Sequence, residues 1–168
     1  HITEGANVEL NCNLIIKGEL VIDEGATLTT NQRFDGNLHG SWNRISGRLI
    51  NKGVLNANVG FDVCGRIDNE GTGTINMAEY DGDDQGQNWT TDGHIYLYTE
   101  RGEAEDGSED QSGYLYNDHE GSINNFNTIS INDNAQLINC RNGVVNNYGD
   151  IMTWNGLTDG NYFAVENY

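Results

Sequence analysis

Residues 113–134 lie over residues 135–156 without a gap, and the matches fall in columns. Leu115 meets Leu137, Asn117 meets Asn139, Gly121 meets Gly143 and Ile123 meets Val145, all at an offset of 22. Asn124, Asn125, Phe126 and Ile129 meet Asn146, Asn147, Tyr148 and Ile151 in the same way. The pattern, Gly-x-Leu/Ile-x-Asn followed by Gly-x-Ile-Asn, also starts at Gly65 with Ile67, Asn69, Gly73, Ile75 and Asn76, 48 residues before Gly113. Shorter versions begin at Gly47 (Leu49, Asn51, Gly53, Leu55, Asn56) and at Gly18 (Leu20, Ile22, Gly25, Leu28). A unit this short, alternating aliphatic and polar residues between Gly and Asn, is too small for a propeller blade and lacks the leucine-rich consensus. One coil of a parallel β-helix fits it.

The expected fold is therefore all-β: a single-stranded parallel β-helix of about six to seven coils, forming one domain over residues 1–168 with acidic loop insertions near 31–46 and 79–112. Stacked coils set like residues over like at the ~4.8 Å spacing of neighbouring strands. This predicts core columns through Leu49, Ile67, Leu115 and Leu137, and through Ile75, Ile123 and Val145. Asn51, Asn69, Asn117 and Asn139 are expected to form an amide ladder, each side chain bonding to its equivalent one coil away, with Asn also tolerating left-handed backbone at turns. The absence of proline agrees, because proline cannot donate to a ladder. The run His94–Thr99 (HIYLYT) alternates like a strand and can supply another coil.

With 36% hydrophobic residues and a net charge of -18, the composition borders on that of disordered chains. The short alternating runs of Leu, Ile, Val and Tyr argue instead for strands. Eight basic residues against 26 acidic ones repel phosphate backbones and anionic lipid, so no nucleic-acid partner is expected. No stretch approaches the roughly 20 apolar residues of a membrane span, so no membrane insertion is expected either. A first residue that is His1 and not Met fits a removed leader, and a secreted or surface location is expected. Cys12, Cys64 and Cys140 have no metal-type spacing; they read as small buried hydrophobes, with one disulfide as the competing reading.

Chemistry would sit in the insertions, since a solenoid core is occupied in holding itself together. Asp81-Gly82-Asp83-Asp84-Gln85-Gly86 resembles the start of a calcium loop, which puts Ca2+ on Asp81, Asp83, Gln85 and Asp92. Gln85 and Asp92 depart from the usual ligands, and a solvated acidic loop is the competing reading. Glu103, Glu105, Asp106, Glu109 and Asp110 read as a charged loop that a cation would order. Asn88-Trp89-Thr90 is a glycosylation sequon. An enzyme is not expected: carboxylates are too numerous for any pair to be diagnostic, and His1, His39, His94 and His119 form no cluster with Ser or Cys. Ice binding by threonine rows is not expected, since Thr27, Thr29, Thr72 and Thr74 are too few for a regular row.

The strings NNFNTISI (124–131), INCRNGVVNNYGDI (138–151) and GRIDNEGTGTIN (65–76) resemble the Asn/Gly-rich repeats of bacterial and archaeal surface proteins and adhesins. The resemblance implies an extracellular solenoid serving as stalk or polymer, and carries over no catalytic residue. Such proteins usually have many more copies. The alternating pattern begins by Val8 and resumes at 162–165 without an amphipathic helix at either end, and uncapped coils invite stacking. The expected function is a self-assembling filament or surface-fibre subunit, whose partner is another copy of itself. The alternatives are an adhesin module binding cell-surface glycans and, with less support, a polysaccharide-active β-helix enzyme.

Overall fold

The computed structural model describes residues 1–31, 43–79, 93–100, 111–132, 134–154 and 164–167. Gly and Asn interrupt the aliphatic runs so often that strands stay at two to five residues, and the chain turns after each one. Three strands complete a coil. The first coil holds β1 (Asn7–Leu10), β2 (Ile15–Ile16) and β3 (Glu19–Ile22); the second holds β4 (Thr27–Thr30), β5 (Asn43–Ile45) and β6 (Arg48–Asn51). The third holds β7 (Val54–Ala57), β8 (Phe61–Val63) and β9 (Arg66–Asn69). In the fourth, β10 (Thr74–Met77) and β11 (Ile95–Leu97) are followed by β12 (Thr99–Glu100), β13 (Gln111–Ser112) and β14 (Tyr114–Asn117). The last two are β15 (Ser122–Asn125), β16 (Thr128–Asn132), β17 (Gln136–Asn139) and β18 (Val144–Asn147), β19 (Asp150–Trp154), β20 (Ala164–Asn167).

Equivalent strands of successive coils pair in parallel and build three six-stranded sheets. We call these sheet 1 (from β1 to β18), sheet 2 (from β2 to β19) and sheet 3 (from β3 to β20). The molecule is an all-β parallel solenoid, and no helix occurs among the described residues. Register is the same from coil to coil. Leu49, Ile67, Leu115 and Leu137 are Cα partners down sheet 3, and Leu55, Ile75, Ile123 and Val145 are partners down sheet 1. Ile45, Val63, Leu97 and Ile131 form the matching column of sheet 2. Most of these side chains are fully enclosed, each contributing roughly 1.5–3 kcal/mol by leaving water. Val145, in the last coil, is only partly buried.

Several elements differ from the sequence reading. The HIYLYT run does not make a coil of its own; its Ile95–Leu97 is the sheet 2 side of the coil that begins at Thr74 and closes at Asn117. The excursion assigned to residues 31–46 ends earlier, because Asn43–Ile45 is a strand of sheet 2. The second acidic loop is rooted in a short antiparallel hairpin, β12 with β13, that stands apart from the three parallel sheets.

Inside, Asn51 donates its Nδ2 to Oδ1 of Asn69, Asn69 to Asn117, and Asn117 to Asn139, each at 2.7 Å. Asn51, Asn69 and Asn117 are fully buried, and their Nδ2 groups also reach the main-chain oxygens of Thr74, Ser122 and Val144. The repeating glycine that follows is fixed by the main chain of the preceding coil together with this ladder: a Cβ on Gly73 would lie 2.3 Å from the Asn51 main-chain oxygen, and one on Gly73, Gly121 or Gly143 would lie 2.7 Å from the Oδ1 of Asn69, Asn117 or Asn139. The ladder asparagines end strands and are not left-handed, contrary to the turn role expected of them. In the three corresponding turns that conformation falls to Gly71, His119 and Arg141, with φ of 63°, 55° and 54°.

Replacing Asn117 by the similarly shaped leucine strands the Asn69 donor and the Asn139 acceptor, and is expected to lower unfolding free energy by about 2–4 kcal/mol. Asn76→Ala, on the solvent face, is expected to cost less than about 1 kcal/mol. Urea unfolding measures both, and equal losses would show that the buried amides are not special.

Candidate functional site

The proposed calcium ligands Asp81, Asp83, Gln85 and Asp92, and the sequon residue Asn88, lie outside the described residues. Among the described residues, no group of three or more His, Cys, Asp or Glu is placed to hold a metal ion. The three cysteines are free: Cys64 is buried, Cys140 half-buried and Cys12 exposed. What the solenoid does bring together is determined by which side chains face outward on each sheet.

On sheet 1 the outward positions carry a second amide ladder. Asn146 donates to Asn124 at 2.9 Å, Asn124 to Asn76 at 2.8 Å, Asn76 to Asn56 at 2.9 Å, and Asn56 to the Thr29 hydroxyl at 3.1 Å. Its donors point toward the N-terminal coils, opposite to the buried ladder. The second Asn of each repeat signalled it, but only the first was read as a ladder.

On sheet 2 a polar cluster spans the second to fifth coils. Arg44 and Tyr96 flank Asp62 as its strand neighbours. The Arg44 guanidinium bonds the Glu100 carboxylate, whose other oxygen accepts from the Cys64 thiol at 3.2 Å. The ring of Tyr98 stacks on that of Tyr96 at 5.3 Å, and Asn132 donates to the Tyr96 hydroxyl at 2.9 Å. On the same coil as Tyr96, His94 Nε2 lies 3.0 Å from Ser130 Oγ of the next coil, with both residues buried. Glu100 comes into this group through the hairpin and Cys64 through a corner, so no local spacing could have announced it.

Burial sets the electrostatics. It raises the Asp62 pKa to about 6, against the charge of Arg44. Burial likewise pushes the Cys64 thiol up, and its bond to Glu100 raises it further, so sulfur stays protonated and weakly nucleophilic. Tyr98 is raised by burial and by its bond to Cys64. Glu100 is held below the usual carboxylate range by its bonds to Arg44 and Cys64. Arg44, Glu100, Cys64 and Tyr98 are thus mutually satisfied, and Asp62 sits beside them with the Arg44 charge as the offset to its burial.

Sheet 3 presents a different pattern. Asp68 is gripped by Arg48 Nε at 2.5 Å and Arg66 Nε at 2.6 Å, and Arg66 lies over the Tyr116 ring at 3.9 Å. At the next corner, burial works against the Asp118 charge, but the His119 N–H, the Cys140 thiol and Arg141 outweigh it and lower its pKa.

Compared with protein-family models, curated proteins and solved structures, the chain matches none of them. Its class is defined by the fold alone, a three-sheet parallel β-solenoid.

Because the folded Asp62 pKa lies above the unfolded value of about 4, the stability associated with this group is present below pH 4 and is lost as pH rises through 6. The wild type is expected to lose on the order of 1 kcal/mol relative to Asp62→Asn between pH 4 and pH 7, solvent access having reduced the full linkage value. Thermal melts of both proteins across that range test it. A stability difference that does not change with pH would contradict the assignment.

Proposed function

We propose that this solenoid is a structural subunit of an extracellular fibre, joined end to end with other copies of itself. The observation that carries the reading is the continuity of the core columns into both outer coils. Ile2, Val8, Leu10 and Leu14 at one end, and Val145 and Ile151 at the other, pack on the core but are only partly buried. Extending the register by one coil sets Val145 of one copy over Val8 of the next, and Ile151 over Leu14. Aliphatic meets aliphatic in both columns. The outer edges of β1 and β18, which pair with no further strand among the described residues, supply main-chain donors and acceptors for the same junction, while Ile2 already bridges the outer edge of β3. Such a head-to-tail contact does not close on itself and propagates as a filament.

The chemistry on the outer faces favours this reading over an enzyme. Cys64 is kept protonated, Glu100 is occupied by Arg44 and Asp68 by two arginines. A net charge of -18 keeps fibres apart sideways while leaving the uncharged columns free to stack.

Negative-stain microscopy and sedimentation of the purified chain are expected to show filaments one solenoid wide whose length grows with concentration. Val8→Lys and Val145→Lys, at opposite ends, are each expected to leave the β circular dichroism unchanged and abolish filaments. Monomers alone across protein, salt and calcium concentrations would overturn the proposal.

A further inference from the structure

Of the three outer faces, that of sheet 1 is built differently. On the other two, outward positions are a mixture of enclosed side chains, ion-paired arginines and single exposed residues: Val21, Ile50, Asp68 and Ile138 on sheet 3, and Ser130 on sheet 2, are all less than 10% exposed, whereas Ile15 on sheet 2 is exposed. Sheet 1 instead presents two straight columns of short side chains, mostly half-exposed. One is the outer amide ladder headed by Thr29. The other runs through Thr27, Val54, Thr74, Ser122 and Val144, each two residues before its partner in the ladder. Threonine counting missed this array because Val, Ser and Asn share the columns with Thr27, Thr29 and Thr74. Thr72, also counted, sits in a turn.

Charge and chemistry narrow what such a face can hold. In a chain of net charge -18, the two columns carry one charged side chain, Glu9 in the first coil. With no Lys or Arg there, nothing attracts phosphate or anionic lipid. Neither column carries an aromatic ring for a sugar to stack on, the exposed Phe126–Tyr148 pair lying at the corner beyond them, and the apolar content, the side chains of Val and the methyls of Thr, is too divided for a protein hot spot. What remains is an uncharged, periodic occupant.

The array has the periodicity to match. Rows repeat at about 4.8 Å across strands and at about 6.7 Å between the two columns. Both values are close to distances that recur between oxygen atoms in ice. Each ladder amide uses one N–H and one lone pair within the column and keeps a second of each for solvent. The methyl groups between them cannot bond water and leave it to order around them. Because the ladder already fixes the amide rotamers, little side-chain entropy is lost on binding.

We propose that the outer face of sheet 1 binds ice, its hydroxyls and amides anchoring a water lattice held in register by the solenoid. This inference does not rest on fibre formation, which is read separately by microscopy. The experiment is partition of fluorescently labelled protein into slowly growing ice, together with inhibition of ice recrystallisation. Wild-type protein is expected to enter the ice and keep crystals small. Thr74→Tyr and Ser122→Tyr, which set a large ring in the middle of the array, are expected to weaken the effect by about tenfold or more. Gln136→Tyr, on the outer face of sheet 3, is expected to behave as wild type, and so is Ser122→Thr, which keeps the array should a tyrosine variant misfold. Exclusion of the wild type from ice would overturn the proposal, as would activity unaffected by both tyrosine variants when they are folded. Retention on crystalline cellulose or chitin without ice entry would overturn it in favour of a polysaccharide surface.

Discussion

An asparagine enclosed in a protein core has to hydrogen-bond its whole amide or destabilise the fold by a few kcal/mol. Asn69 and Asn117 meet that condition because each lies between two amides one coil away, accepting from one and donating to the other, and Asn51 satisfies its donors in the same way. A shift of register by one residue would turn every amide outward and every leucine with it. The ladder therefore fixes the stacking geometry on which the aliphatic columns, the glycine turns and the outer faces depend. It has a start as well. Above Asn51 stands Ile22, which cannot donate, and the Asn51 Oδ1 has no partner among the described residues.

The two ladders run in opposite senses, the inner one donating toward the C-terminal coils and the outer one toward the N-terminal coils. Their side-chain amide dipoles therefore oppose one another along the axis. The proposed functions rest on the same geometry. Columns that continue to the outer coils are what makes end-to-end joining plausible in physical terms, and columns that face solvent are what makes sheet 1 a regular surface.

Much of this was legible in the sequence because stacking copies residue identity from coil to coil. The pairing of Leu115 with Leu137 and of Asn69 with Asn117 is stated by the repeat itself, even across the 48-residue gap. What the repeat does not copy could not be read. β11 has few sequence marks of its own, so its place in the fourth coil came only with its neighbours Phe61 and Ile129. The cluster of Arg44, Asp62, Cys64 and Glu100 joins residues from different coils through a hairpin that occurs once among the described residues. The burial of outward Val21, Ile50 and Ile138 is equally hidden, since alternation alone assigns those positions to solvent. His119 and Arg141 take left-handed turns that composition would give to glycine or asparagine, because the glycine of each turn is needed two residues later, against the ladder.

Side-chain amide NMR tests the stacking most directly. In a selectively Asn-labelled sample, the Nδ2 protons of Asn51, Asn69 and Asn117 are expected to exchange slowly and to show cross-peaks linking Asn69 to Asn117 and Asn117 to Asn139. Rapid exchange of these amides, with no contact between residues 117 and 139, would contradict the account at its foundation.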